Sequence, residues 1–429
     1  EQYPAAHYID DVKQWFLDNP RFGETRDERA TLLFEGGLDI HTTIDLGLQA
    51  EAEEAVERVL PQIAADGRRN PDASVVVMGT TTVDDGHILA MVGGRDFFGA
   101  EEFSRVNLAS GEGRQAGSSM KPIALAEALQ SGRSVTSLWS APGRIEIREP
   151  EICGPTWRVR GGTGGRVSLV RATRSSLNSV YAQLMVAIRP ENYVDMAERL
   201  GIGEDRLDPV CAAVLGSENV NMVEMATVYS TFSRSGTHLD PVLVTRIVNP
   251  DGTLLYQHNP QPTPVLATSV AHQLTWVLEG VITGGTGTRA RLADGRNAAG
   301  KTGTTQRNVD ATFIGYTAQR TTAVWVGFPQ GTDREFEMRD YFNGGRVEGG
   351  TFPALIFKEV MDRAHDGLPA EEFPEPPPSS TTTTIPVVPT EVTVPDLVGQ
   401  TVSEELFESL RQQYFTLIAV DRVTDEHPE

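Results

Sequence analysis

Between residues 46 and 60 the apolar positions Leu46, Leu48, Ala52, Ala55, Val56, Val59 and Leu60 keep a broadly helical spacing, which predicts an amphipathic helix. Two β-rich runs follow at 74–78 and 87–92, separated by the polar, glycine-containing stretch 80–86, and read as paired strands. From Gly117 to about residue 230 the period turns helical, with segments around 118–130, 168–188, 191–200 and 222–234. Strand character returns at 298–305, 311–318 and 321–328, three short runs joined by turns that predict an antiparallel meander. Strands, a large helical insert and strands again give an α+β domain, with helices against an antiparallel sheet and an all-helical subregion. The competing arrangement is two independent domains split near residue 235.

The two ends read differently. Residues 1–60 read as a connector carrying the helix at 46–60. From Glu371 the chain becomes rich in Pro and Thr, cannot build a core, and predicts an extended linker over 369–392. Beyond it, Val394-Pro395-Asp396-Leu397-Val398-Gly399 leads into a helix over 403–413 with Ser403 at its N-cap, then a strand at 414–420. That is a small β/α module at 393–429, expected to be cut short.

A length of 429 residues predicts two or three domains, and 39% apolar residues allow a real core. The formal charge of 37 − 59 = −22 argues against a nucleic-acid partner, because phosphate binding needs a basic face. No run reaches the roughly 18–20 apolar residues of a membrane helix. The chain opens on Glu1 without an initiator Met and is expected to be an excised piece, so a missing anchor says nothing of location. Cys153 and Cys211 are too few for a disulfide scaffold, and the eight histidines lack metal-ligand spacing, so neither metal nor cofactor is expected.

Three short motifs carry chemistry. Ser118 and Lys121 are three apart, which on a helix brings a hydroxyl and an amine to one side as a nucleophile–base pair. Gly117 permits close backbone approach there, although a capped surface helix explains the same residues. Ser176 and Asn178 are two apart and act together only across a non-helical link, for which helical runs on both sides leave room. A cap serine and a turn asparagine are the simpler account. In Lys301-Thr302-Gly303-Thr304, a strand period puts Thr302 and Thr304 on one face and Lys301 on the other. Two hydroxyls and a cation suit a terminal carboxylate, and Gly303 is expected to leave the strand edge bare for an extended peptide. Residues 295–302 also match the phosphate-loop pattern formally, but no helix-forming run follows.

In chain order these are Ser-x-x-Lys, Ser-x-Asn and Lys-Thr-Gly, the motif set of serine β-lactamases and penicillin-binding proteins. With the stretches 33–45, 114–122, 214–217, 223–226, 286–288, 299–305 and 313–317, the chain resembles the transpeptidase region of a class A, bifunctional penicillin-binding protein. The resemblance spans roughly residues 30–365. It implies a penicillin-binding transpeptidase domain over 61–368 and an extracytoplasmic enzyme, membrane-anchored in full length, that cross-links peptidoglycan stem peptides and is trapped by β-lactams. Ser118 would be the acylated nucleophile, Lys121 its proton acceptor and Ser176 a proton shuttle. Asn178 would bind the substrate amide and Lys301 tune the field around Ser176. Thr302, Gly303 and Thr304 would hold the substrate strand and carboxylate, with the backbone N–H groups of Ser118 and Thr304 as oxyanion hole. Like charge from Lys301, together with burial, should lower the pKa of Lys121.

The segment before residue 40 resembles the connector from a glycosyltransferase domain, whose activity is not expected in this chain. The module from 393 resembles the first half of a PASTA module. Other cell-wall synthesis proteins are expected as partners. Ala116 and Met120 depart from the proline and aromatic common in the family and read as packing changes. Whether Cys153 and Cys211 pair stays open; Trp157 and the 161–165 glycine run read as core or loop, and Asp310 as a turn cap. A serine β-lactamase would need a deacylation base, for which no glutamate stands out. A penicillin-sensing receptor is the other alternative.

Overall fold

The two strand groups, separated by the helical insert, meet in one sheet. The strands are β1 (Asp72–Gly79), β2 (Ile88–Val92), β3 (Ala299–Thr304), β4 (Asp310–Tyr316) and β5 (Arg320–Gly327). Their order is β3-β4-β5-β1-β2, antiparallel throughout. The pairing of β5 with β1 runs from Arg320 opposite Gly79 to Gly327 opposite Asp72, which rules out a split near residue 235. The structure is a computed structural model and describes residues 2–64, 67–100 and 102–376. The later part of the predicted linker and the β/α module lie outside the described residues.

Both faces of the sheet are buried, and the strand period divides them. Val76, Met78, Ile314, Tyr316, Ala323 and Trp325 face the insert; Val75, Val77, Phe313, Val324 and Val326 face away from it. The helices that frame the sheet and the site are, in chain order, α1 (Leu46–Val59), α2 (Lys121–Gln130), α3 (Leu169–Arg174), α4 (Asn178–Ile188), α5 (Met222–Ser233), α6 (Thr268–Gly284) and α7 (Phe352–Ala364), and the helix expected at 191–200 is present as Pro190–Leu200. Asp45 caps α1 by accepting from the N–H groups of Gly47 at 2.9 Å and Leu48 at 3.1 Å. Ala52, Ala55 and Val56 of α1 join Ile356, Phe357 and Val360 of α7 on the outer face. On the insert side, α2 buries Ile123, Ala124 and Leu125, and α5 buries Met225, Tyr229 and Phe232.

Beyond the helices that the hydrophobic period predicts, the structure has α6, α7 and, in the first 40 residues, Ala6–Asp18 and Arg26–Glu35. The first of these buries Tyr8, Val12 and Phe16 in the insert-side core, and the Tyr8 hydroxyl donates to Leu243 O at 2.6 Å. Asp39–Thr42 pairs with Val244–Val248. These segments of the expected connector thus pack against the same body as the sheet. At the other end, Phe373 sets its ring edge-on to Tyr316 at 5.5 Å, and Gln319 Nε2 donates to Glu371 at 3.1 Å. The first residues of the predicted linker are therefore seated on the domain, because an aromatic anchor outweighs their proline-rich context.

Candidate active site

The site begins at a turn. Arg114–Gln115 pairs with Asn219–Val220, and a 3-10 turn over Gly117–Met120 feeds into α2. Pro122 sits in the first turn of α2, where its missing N–H costs nothing. Gly117 is required twice: its φ is 59°, and a Cβ there would stand 2.8 Å from Thr304 N. Ala116 and Met120 are both 1% exposed and pack in the core, as their reading as packing residues implies. Of the adjacent serines, Ser119 is buried and donates to Ala116 O at 2.7 Å, whereas Ser118 is half-buried at the surface of the turn.

The second wall is the link between α3 and α4. Ser176 takes φ 55°, a conformation that costs a non-glycine residue energy and is held by Ser176 N–H to Thr173 O and Leu177 N–H to Ala172 O. This break lets Ser176 and Asn178 face one point, as the two-residue spacing requires. Lys121 Nζ donates to Ser176 O at 2.8 Å, Ser176 Oγ at 3.2 Å and Asn178 Oδ1 at 2.6 Å. Lys301 Nζ donates to the same Ser176 Oγ at 2.9 Å and to Thr302 O at 2.9 Å. One hydroxyl therefore sits between two lysine amines. The Ser118 hydroxyl has no hydrogen bond among the described residues.

The third wall is β3, an edge strand. Alternation holds for its faces, yet Lys301 bends back so that its amine reaches Thr302 O and Ser176. Thr302 Oγ1 pairs with Thr286 Oγ1 at 2.6 Å, and Thr304 Oγ1 accepts from Gly349 N–H at 3.1 Å. Gly303 corrects the expectation of a bare edge. A Cβ there would stand 2.0 Å from Ala116 O and 2.1 Å from Thr312 Oγ1, so glycine allows the Ser118 turn to close on the strand. The open edge arises otherwise. Thr305 N–H donates to Asp310 O across the ladder, and hydrogen bonding alternates along antiparallel strands, so Thr304 N–H points away from β4. The phosphate-loop match fails here, because residues 299–304 form a strand with no helix behind Thr302.

Burial dominates the electrostatics. Lys121 and Lys301 are both 0% exposed. Burial, and then the charge of Lys301, holds the Lys121 amine well below the usual lysine range; burial alone lowers Lys301 to about 7. No carboxylate enters either shift. The Lys121 amine also lies 5.3 Å above the Tyr181 ring.

Two features escaped the sequence reading. Asp310 does more than cap a turn: its buried carboxylate accepts from the Thr305 hydroxyl at 3.4 Å and from Arg114 Nε and Trp325 Nε1, both at 3.0 Å. It ties the strand before the Ser118 turn to the end of β3, across 196 residues that leave no local signal. Cys153 and Cys211 form a disulfide, which staples a hairpin of Arg144–Glu149 and Gly154–Arg160 to the 3-10 turn Cys211–Leu215. Gly216 after that turn abuts Gly117, and Gly161 after the hairpin abuts Asn178, so the stapled elements back both sides of the site. Trp157 is half-buried against the core on this hairpin. Among the described residues, no cluster of three or more His, Cys, Asp or Glu could hold a metal.

A family model, that of the penicillin-binding protein transpeptidase domain, matches residues 73–362. The chain belongs to this transpeptidase family. It is 31% identical over 364 residues to penicillin-binding protein 1A of Mycolicibacterium smegmatis, covering 79% of this chain and 43% of that protein. It is 30% identical over 300 residues to penicillin-binding protein 1B of Escherichia coli, covering 68% and 34%. The chain thus spans between a third and a half of the length of these curated relatives. Among solved structures, PonA1 from Mycobacterium tuberculosis in complex with penicillin V superposes with a TM-score of 0.74 at 27% identity, over 88% of this chain and 97% of that one. Penicillin-binding protein 1A from Haemophilus influenzae, at 18% identity and a TM-score of 0.69, shares the fold. The α+β fold is that of the penicillin-binding transpeptidases.

Proposed function

We propose that this chain is the D,D-transpeptidase part of a peptidoglycan synthase. The observation that carries the reading is the Ser176 hydroxyl held between the buried amines of Lys121 and Lys301, at the base of the Ser118 turn. Ser118 Oγ attacks the carbonyl of the penultimate D-alanine in a D-alanyl-D-alanine stem peptide. A neutral Lys121 takes the hydroxyl proton, and burial with a second lysine nearby favours that neutral form. The oxyanion is held by the N–H groups of Ser118 and Thr304, the latter on the open strand edge. Ser176 passes a proton to the amine of the departing D-alanine, whose carboxylate is gripped by Lys301, Thr302 and Thr304. Asn178 orients the substrate amide. The amine of a second stem peptide then attacks the Ser118 ester; water in its place gives carboxypeptidase activity.

A β-lactam presents the same amide and carboxylate but keeps its leaving group tethered, so it would block the site as an acyl-enzyme. A β-lactamase reading is less favoured, because among the described residues no carboxylate is hydrogen-bonded to Lys121, Ser176, Asn178 or Lys301 to serve as its deacylation base. The whole protein is read as membrane-anchored and extracytoplasmic, working with stem peptides and other cell-wall synthesis proteins. The disulfide suits an oxidising compartment. Residues 61–368 are read as the catalytic unit, 369–392 as linker and 393–429 as a partial PASTA-like module.

The test follows the adduct of a labelled penicillin by intact mass alongside turnover of a stem-peptide mimic. A long-lived adduct with peptide turnover is expected. Rapid adduct loss would make the chain a β-lactamase, and a stable adduct without turnover would make it a sensor.

A further inference from the structure

The hairpin that backs Asn178 has two unlike faces. Ile145, Ile147, Trp157 and Val159 alternate onto one face, with Ile147 and Val159 buried in a small core with Ala182 of α4. The other face carries Arg144, Glu146, Arg148, Arg158 and Arg160, all exposed. Glu146 lies 3.3 Å from Arg148 and 3.5 Å from Arg158. Arg144 and Arg160 have no carboxylate partner among the described residues, and they stand directly opposite one another across the strands. Like charges in that position destabilise a hairpin. The cost is accepted in a chain of net charge −22, at the root of the hairpin and not at its tip. The root is also where it meets the site: Arg160 O accepts from Asn178 Nδ2 at 3.1 Å, and Gly161 packs on the Asn178 side chain.

We propose that Arg144 and Arg160 form an anion subsite for a carboxylate of the donor stem peptide, upstream of its terminal D-alanyl-D-alanine. The inference rests on the transpeptidase reading given above. With the terminal carboxylate at Thr302 and Thr304 and the penultimate amide at Asn178, the peptide leaves the site past Asn178, towards the hairpin root. A stem peptide carries a further carboxylate there, on the acidic residue that precedes its diamino acid. Two guanidinium groups without internal partners suit it, because arginine forks onto carboxylates in bidentate geometry. Selectivity then extends beyond the reacting dipeptide to a charge several residues away.

The test compares two synthetic donors that differ only in that carboxylate, one free and one converted to the carboxamide, with active sites counted by labelled penicillin. The wild-type protein is expected to show a lower KM for the acidic donor and a similar kcat for both. In R144Q and R160Q the KM preference should shrink by up to roughly fivefold per arginine, and vanish in the double variant. Raising the salt concentration should erode the preference in wild type but not in the double variant. Equal KM values for the two donors in wild type would overturn the subsite while leaving the transpeptidase reading intact. A preference retained in the double variant would overturn it too, including where that variant loses affinity for soluble polyphosphate, which would give the arginines to an anionic polymer. Penicillin acylation without turnover of either donor would refute the transpeptidase reading, and the subsite with it.

Discussion

At the scale of single residues, the site depends on keeping two lysines uncharged or singly charged inside protein. Both amines are buried and share one serine hydroxyl. Lys121→Ala should abolish acylation by labelled penicillin while the circular dichroism spectrum stays that of the wild type; acylation at the wild-type rate would remove Lys121 from the mechanism. Stability should carry the same signature. The Lys301 amine is lowered to about 7 in the folded chain from an unfolded value near 10.5, so between these pH values the unfolded chain binds more protons. The burial penalty is therefore full below pH 7 and fades as pH rises towards 10. The melting temperature of wild type relative to Lys301→Met should climb over that window, and a flat difference from pH 7 to 10 would mean that Lys301 is not buried as a suppressed amine. The three motifs were legible because each is short in sequence. The Arg114–Asp310 pair was not, because its partners meet only once β4 and the nucleophile turn are packed. Asp310→Ala should cost about 3 kcal/mol in denaturant unfolding, as it leaves the largely buried Arg114 guanidinium without its carboxylate and with only Gly331 O to donate to.

At the scale of elements, catalytic geometry comes from backbones pressed together. Gly117 and Gly303 are the two places where the nucleophile turn and β3 come too close for a side chain. Gly303→Ala should slow acylation at least tenfold and cost about 1–3 kcal/mol, because the methyl group would drive the strand from Ala116 O. Wild-type acylation by that variant would mean that the contact has no bearing on the reaction. Strand alternation correctly separated Lys301 from Thr302 and Thr304. It did not reveal what lies against Gly303, since that depends on a turn almost 190 positions earlier. The strand runs and most insert helices were readable from period. The omitted helix α6 buries Leu274, Leu278 and Val281 on one stripe, so its signal was present; Thr275, Val277 and Ile282 are buried as well and blur the amphipathic pattern.

At the scale of the molecule, the insert is stitched into a single catalytic body by contacts remote in sequence. The sheet joins β1 to β5 over more than 240 residues, and the Cys153–Cys211 disulfide closes a loop of 58 residues beside the site. Sequence could not decide that pairing, which depends on a distance set by the fold. Cys153→Ser should lower unfolding stability by about 2–4 kcal/mol, and reducing agent should do the same to wild type but nothing further to the variant. The net charge of −22 argues against a nucleic-acid partner, and on the proposed reading two cationic pairs, Lys121 with Lys301 inside and Arg144 with Arg160 outside, face the substrate.

The central claim is that Ser118 is the acylated residue of a lysine-activated site. Proteolysis of the labelled-penicillin adduct followed by peptide mass mapping tests it most directly. The label is expected on Ser118 and should disappear in Ser118→Ala. A label on Ser119 or Ser176, or an adduct that survives in Ser118→Ala, would contradict it.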